Sequence, residues 1–217
     1  MKTNIAVLVS GGGTNLQALM DAQQRGGLGG GEITAVISTR EDAYALQRAR
    51  SAGIPGYVVP RKAYPDSRSM TIAMVDKLRE LKIQLVVLAG CMVIFTRELT
   101  DAYPNAVINV HPALIPSFCG KGFYGLHVHE AALGYGVKLS GATVPFVSEE
   151  CDGGPIIAQK AVPVEEDDTP ETLQRRIMEQ AEWQLLPQAV SLFCQGRLRV
   201  EGRRVIIKEG EKQHECV

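Results

Sequence analysis

The chain is most constrained by a repeated alternation, in which short unbroken runs of Val, Ile, Leu and Ala give way to stretches with helical spacing. Ile5 to Val9 is the first such run; glycines follow it, and a helix is predicted from Thr14 to Gln24. Ile33 to Ile37 predicts a second strand, Ala43 to Ala52 a second helix stopped by Gly53 and Pro55, and Tyr57 to Val59 a short third strand. Pro65 and Asp66 open a further helix carrying Ile72, Val75, Leu78 and Leu81. Gln84 to Ala89 and Val107 to Val110 complete the series as strands four and five. A strand that is apolar at every position, rather than every second one, is covered on both faces. Such strands separated by helices predict an α/β fold with a doubly wound, mostly parallel sheet.

Beyond residue 110 the pattern changes. Pro112 to Gly125 has no period and predicts a long loop, the kind that in a compact domain tends to carry function. A short helix is predicted around His129 to Leu133. Antiparallel strands follow at Ala142–Val147 and Pro155–Val164, flanking the turn Asp152-Gly153-Gly154. Thr169 is the expected N-cap of a long helix, with Pro170 at its first position and Glu171 in its first turn. Leu173, Ile177, Ala181, Leu185, Ala189 and Phe193 form its apolar stripe. A hairpin, Leu198–Val200 and Val205–Ile207 around Gly202, ends the fold, and residues 208–217 read as a frayed tail. At roughly 150 residues per domain, 217 residues predict one domain, with halves at 1–110 and 111–207.

Charge excludes the broad electrostatic functions. Lysine and arginine number 23 against 24 Asp and Glu, a formal net charge of −1. No general field for nucleic acid or an anionic membrane results, so neither is an expected partner. Small molecules are, with any phosphate held locally. Five cysteines without a C-x-x-C pair, and no His at ligand spacing from them, predict reduced thiols and no metal. The first apolar run is five residues long, too short for a signal-peptide core, and no run approaches the ~20 of a membrane span. A cytoplasmic protein, monomer or homodimer, is expected.

Three constellations carry chemistry. Ser10-Gly11-Gly12-Gly13-Thr14-Asn15 lies between a strand and a helix. Glycines allow close backbone approach, and a helix N-terminus offers free N–H groups and partial positive charge. Phosphate binding at Gly13, Thr14 and Asn15 and a plain tight turn both fit, because the motif is neither a full G-x-G-x-x-G nor a P-loop. Asn109-Val110-His111-Pro112 sets an amide and an imidazole on one face at the carboxyl edge of the sheet, where open α/β sheets bind ligands. That pair suits acyl transfer, and a capped polar strand end is the alternative. Asp152 stands in an Asp-Gly turn and serves either the backbone there or, if the turn folds over the sheet edge, the imidazolium form of His111. No Ser or Cys occupies a nucleophile setting, which suggests that one bound substrate attacks another directly.

These residues resemble the folate-dependent phosphoribosylglycinamide formyltransferases, from about Asn4 to Leu198. The resemblance is carried by residues 10–17 (SGGGTNLQ), Asp66-Ser67-Arg68, Val86 to Gly90, Ile108 to Pro116 and Asp152 to Ile157. It implies transfer of a formyl group from 10-formyltetrahydrofolate, a co-substrate, to the amine of glycinamide ribonucleotide, without a metal. It implies catalytic roles for Asn109, His111 and Asp152, and a phosphate on Gly13, Thr14 and Asn15. It further implies folate contacts from Arg68, Met92, Val93, Ile94, Phe95 and Asn109. With the final helix matched to the family back from Leu186-Pro187, the resemblance also implies Glu182 as the partner of the ribonucleotide, facing the ribose. In these terms the first half is nucleotide-binding-like and the second holds the folate and catalytic parts.

Two departures from the family pattern stand out. Val93 follows Met92 where the family often has Arg, which leaves only the backbone of that position for the pterin. Phe118 to Tyr124 lengthens the loop, and Lys121 with its aromatic neighbours forms either a lid over the nucleotide or a surface excursion. His127 and His129 look like a ligand pair, but with no third ligand nearby they read as loop packing. Methionyl-tRNA formyltransferases carry an extra C-terminal domain and a basic surface, and formyltetrahydrofolate hydrolases an N-terminal regulatory domain. A length of 217 residues is expected to leave room for neither. A nucleotide- or folate-binding sensor without turnover, and a Rossmann oxidoreductase, fit less well, since Ser38-Thr39-Arg40 stands where a ribose-binding acid would end the second strand.

Overall fold

A computed structural model describes residues 2–209. Most of the frayed tail expected at 208–217 thus lies outside the described residues, as does Cys216. The first sheet contains β1 (Thr3–Val9), β2 (Gly31–Ser38), β3 (Gly56–Val58), β4 (Leu85–Leu88) and β5 (Val107–Asn109), all parallel, in the order β3-β2-β1-β4-β5. Between them run α1 (Thr14–Gln24), α2 (Tyr44–Ser51), α3 (Ser67–Glu80) and α4 (Arg97–Ala102).

The unbroken apolar run of β1 explains the layering. Ile5 through Val9 have no exposed surface, and alternate side chains enter different cores. Ile5, Val7 and Val9 pack with Leu16 and Leu19 of α1 and Ala45 and Ala49 of α2. Ala6 and Leu8 pack with Met70, Met74 and Leu78 of α3 and Leu99 of α4. A strand with period two and both faces buried must be apolar throughout. The buried side of α3 corrects the expected stripe: Ile72 is 43% exposed, whereas Met70 and Met74 are buried. Methionine fills the gap there despite its weaker signal in a hydropathy pattern. The short α4 was not predicted, because six residues with one buried side chain, Leu99, leave almost no periodicity.

The second half adds α5 (Leu126–Tyr135), β6 (Leu139–Pro145), β7 (Ile156–Pro163), α6 (Pro170–Ile177), α7 (Trp183–Cys194), β8 (Leu198–Glu201) and β9 (Arg204–Ile207). The second sheet has the order β6-β7-β9-β8; β6/β7 and β8/β9 are antiparallel, and β7 meets β9 in parallel at Ile156 and Arg204. It joins the first sheet through antiparallel bridges, Ile108 to Phe146 and His111 to Thr143. Helix α5 starts three residues before the expected position, at Leu126.

The expected long helix is present with an irregularity. Thr169 caps α6, accepting from the Thr172 N–H at 3.3 Å while the Thr172 hydroxyl accepts from the Thr169 N–H at 2.8 Å. Between α6 and α7, Met178–Glu182 forms a π-helical turn. A stripe repeating every four residues overshoots a 3.6-residue turn, and one wider turn takes up the overshoot, so Leu173, Ile177, Ala181 and Ala189 all stay buried. Phe193, at the end, is half-buried.

Candidate active site

In the order β3-β2-β1-β4-β5 the connections diverge between β1 and β4, and ligands of such sheets bind in the crevice outside the carboxyl ends of these strands. A cavity of about 580 Å3 opens there, within the range of small-molecule sites.

The glycine-rich turn forms one wall. The Ser10 hydroxyl lies 2.7 Å from that of Thr39 and accepts from the Met92 N–H at 2.8 Å, which ties the end of β1 to β2 and to the segment after β4. Gly13 then turns the chain with φ 73°, and a Cβ there would stand 2.7 Å from the Ala45 Cβ on α2. Both its dihedral and its close approach to α2 require glycine. Helix α1 starts at Thr14 with no side-chain cap and no acidic residue in its first turn, so its leading N–H groups stay unclaimed by side chains. Thr14 and Asn15 line the cavity. The Asn15 amide nitrogen is engaged: it donates to Glu182 Oε2 at 2.6 Å, while Asn15 Oδ1 has no partner among the described residues. The Thr14 hydroxyl points to Met178 Sδ at 3.7 Å.

Glu182 sits in the π-helical turn and is 5% exposed. Burial pushes its carboxyl above the usual range, and the Asn15 donor pulls partly back. Gln174 and Met178 line the cavity with it, and the sequence reading did not single them out. Their spacing of four and eight residues before Glu182 is the signal that identifies them.

At the other wall, β5 ends with Asn109, and the chain continues extended to His111. Paired backbone hydrogen bonds of 2.9 Å between His111 and Thr143 of β6 hold the histidine in place. The loop with Asp152 does fold over the sheet edge. Asp152 Oδ1 accepts from Asn109 Nδ2 at 3.3 Å; Oδ2 accepts from the Gly120 N–H at 2.9 Å and lies 3.6 Å from His111 Nδ1. Asp152 also adopts φ 55°, a left-handed conformation that Asp tolerates better than most residues, so the turn geometry and the carboxylate's contacts are compatible. A Cβ on Gly154 would collide with the Phe146 carbonyl, which pins the turn against β6.

His111 Nε2 lies 2.9 Å from the Phe118 carbonyl oxygen. A carbonyl only accepts, so Nε2 carries hydrogen; Nδ1 faces a carboxylate, which accepts as well. Asn109, His111 and Asp152 all line the cavity.

Met92, Val93, Ile94 and Phe95 form the third wall. Met92 and Ile94 are 54% and 53% exposed, whereas Val93 and Phe95 pack on the core beneath α3. Alternation thus leaves two large apolar side chains uncovered beside Asn109. Arg68, in the first turn of α3, is outside the cavity lining; its Nε donates to Glu98 Oε1 at 2.6 Å and its side chain is 73% exposed.

The two other histidines separate. His127 pairs with Glu130 at 2.9 Å on the surface. His129 lines the cavity, is completely buried, and has no partner for either ring nitrogen among the described residues. Burial, aided by the nearby His111, lowers its pKa to about 4. Among the described residues no group of three His, Cys, Asp or Glu side chains is arranged to hold a metal ion, and no helix is long and apolar enough to cross a membrane.

Residues 3–190 match the formyl transferase family. The chain is 41% identical over 197 residues to a phosphoribosylglycinamide formyltransferase of Haemophilus influenzae, covering 91% of this chain and 90% of that one. It is 38% identical over 199 residues to the chloroplastic phosphoribosylglycinamide formyltransferase of Arabidopsis thaliana, covering 91% of this chain and 68% of the relative. The crystal structure of glycinamide ribonucleotide transformylase 1 from Symbiobacterium toebii superposes with a TM-score of 0.90 at 44% identity, covering 96% of this chain and 95% of that one. With a glycine-rich turn and a cavity at the carboxyl edge of the sheet, and with relatives of this closeness along nearly its whole length, the chain belongs to the formyl transferase family, among the phosphoribosylglycinamide formyltransferases.

Proposed function

We propose that Asn109, His111 and Asp152 assist direct transfer of the formyl group of 10-formyltetrahydrofolate to the amine of glycinamide ribonucleotide. The observation that carries this reading is the convergence of an amide and an imidazole on one carboxylate, at 3.3 and 3.6 Å, at the carboxyl edge of the sheet. The folate, when bound, supplies an electrophilic formyl carbon. The Asn109 amide, through the N–H it does not give to Asp152, and His111 Nε2–H, on exchanging the Phe118 carbonyl for the substrate, are donors for the negative charge that develops on the formyl oxygen. Such donors stabilise most where they are fixed in advance and shielded from water. Asp152 faces the His111 ring at 3.6 Å and is the acceptor toward which the amine proton leaves.

The binding residues follow the same division. The first turn of α1, with Gly13, Thr14 and Asn15, receives the phosphate through backbone N–H groups. Glu182 hydrogen-bonds the ribose. Met92 and Ile94 offer an apolar face to the pterin, Val93 and Phe95 offer backbone groups, and Arg68 exchanges Glu98 for a folate carboxylate. The uncovered apolar pair and the 580 Å3 cavity fit a flat aromatic ring system beside Asn109. The chain works on small molecules in the cytoplasm, as monomer or homodimer.

The deciding assay follows formyl transfer to glycinamide ribonucleotide, with water as the only acceptor in a parallel reaction. Transfer that requires the ribonucleotide, and is lost in His111→Ala, is expected. Release of formate at the same rate without the ribonucleotide would assign hydrolysis instead.

A further inference from the structure

The cavity wall is unbalanced in charge. Among its lining residues Glu149, Glu150, Asp152 and Glu182 are acidic, while Lys121 is the only lysine or arginine. Under the function proposed above, both ligands are anions. A phosphate entering this field needs a cation, since α1 contributes only about half a charge at its N-terminus.

Lys121 is presented for that purpose. It lies exposed at the corner of a tight turn that the Phe123 N–H closes onto the Gly120 carbonyl at 3.1 Å. Gly120 and Gly122 on either side have φ 89° and 99°, and their surroundings are open. The lysine is thus a long side chain on a bare glycine-flanked tip. No side-chain hydrogen bond or ion pair joins it to another described residue, although four carboxylates share its cavity. The base of the tip is fixed, because the Phe118 carbonyl meets His111 and the Gly120 N–H meets Asp152.

Packing indicates which anion it serves. Phe118 packs on the core that contains Leu16 of α1 and Leu173, Ile177 and Ala181 of the helix bearing Glu182. Cys91, Val93 and Phe95 of the pterin wall pack on the other core. The tip therefore belongs to the nucleotide side of the cavity. The other cation near the glycine-rich turn, Arg48, is committed: it donates to the Gly12 carbonyl at 2.9 Å and to Gln17 Oε1 at 3.0 Å, with its guanidinium over the Tyr44 ring, outside the lining.

We propose that Lys121 is a specificity-determining residue that pairs with the phosphate of the ribonucleotide, acting together with the first turn of α1. This assignment rests on the function proposed above and resolves the lengthened loop as part of the nucleotide site rather than a surface excursion.

The test compares the full-length chain with Lys121→Gln and Lys121→Arg, each checked for an unchanged melting curve. KM is measured for the ribonucleotide and for 10-formyltetrahydrofolate separately, and the phosphate-free riboside of glycinamide is run beside the ribonucleotide. A charge-assisted hydrogen bond to phosphate predicts a KM for the ribonucleotide raised about 10- to 100-fold in Lys121→Gln. Lys121→Arg should recover most of it, and the KM for folate should stay put. The preference for the ribonucleotide over the riboside should shrink by the same factor. An equal loss with ribonucleotide and riboside, a rise in the folate KM instead, or unchanged constants would each overturn the assignment. If the wild-type chain transfers no formyl group to the ribonucleotide at all, the functional reading fails first and the assignment with it.

Discussion

Asn15 and Glu182, 167 positions apart, are joined by a hydrogen bond of 2.6 Å between two nearly buried side chains. One residue opens the helix after the glycine-rich turn; the other sits in the π-helical turn of the last helical segment. The bond fixes the distance between the phosphate and ribose ends of the proposed nucleotide site.

Glu182→Ala should therefore cost stability and binding together. It leaves the buried Asn15 amide without its acceptor, a loss of about 1–3 kcal/mol readable in urea denaturation. Glu182→Gln presents another acceptor and should retain the fold while raising the KM for the ribonucleotide. The pH dependence has a definite sign. A carboxyl raised by burial binds its proton more tightly folded than unfolded, so stability falls as pH rises between the ordinary and the raised value. Glu182→Gln should flatten that segment of the curve, and a slope that survives the substitution would assign it to another group.

His129 acts in the opposite sense. Its folded pKa of about 4 lies below the ordinary 6.5, so the unfolded chain binds the extra proton. Stability should be complete above pH 6.5 and fall as pH drops toward 4, by about 3 kcal/mol at the limit. His129→Leu should remove that fall. Melting temperatures of both proteins between pH 4 and pH 7.5 provide the comparison.

The catalytic assignment predicts which constant changes. Removing one fixed donor of this kind lowers turnover by about 10²–10³, because it acts on charge absent from the ground state. Asn109→Ala and His111→Ala should each show such a loss in kcat with KM values within a few fold. Asp152→Asn keeps the turn, since Asn tolerates the same positive φ, but turns an NH2 toward one of the two donors, Asn109 or Gly120; it should lose turnover together with about 1–3 kcal/mol of stability. A kcat near wild type in any of the three would remove that residue from the mechanism.

Gly13→Ala tests the turn itself. The substitution meets both a φ of 73° and the Ala45 Cβ at 2.7 Å. A destabilisation of about 1–3 kcal/mol is expected, with weaker ribonucleotide binding because α1 must move away from α2. Gly12→Ala, where a Cβ would meet nothing within 4 Å, is the control for stability.

Much of this was already legible in the one-dimensional pattern. The five parallel strands follow from runs such as Ile5–Val9, in which every position is apolar because both faces are covered. The helix cap at Thr169 follows from local hydrogen bonding alone, and the pairing of Asn109 with His111 follows from the two-residue period of an extended chain. Short elements escaped, as α4 shows, because one buried side chain makes no periodicity.

Only the tertiary structure decided which distant residues meet. No local rule states that the Asp152 turn folds back to within 3.6 Å of His111, or that the Phe118 carbonyl occupies the other side of that imidazole. The same holds for the pairing of Arg68 on α3 with Glu98 on α4, which no local pattern states. Alternation of apolar runs is set by burial on either side of a strand, a property each segment carries in itself. The meeting of two loops is set by how sheets and helices stack, and the sum of many long-range contacts determines that.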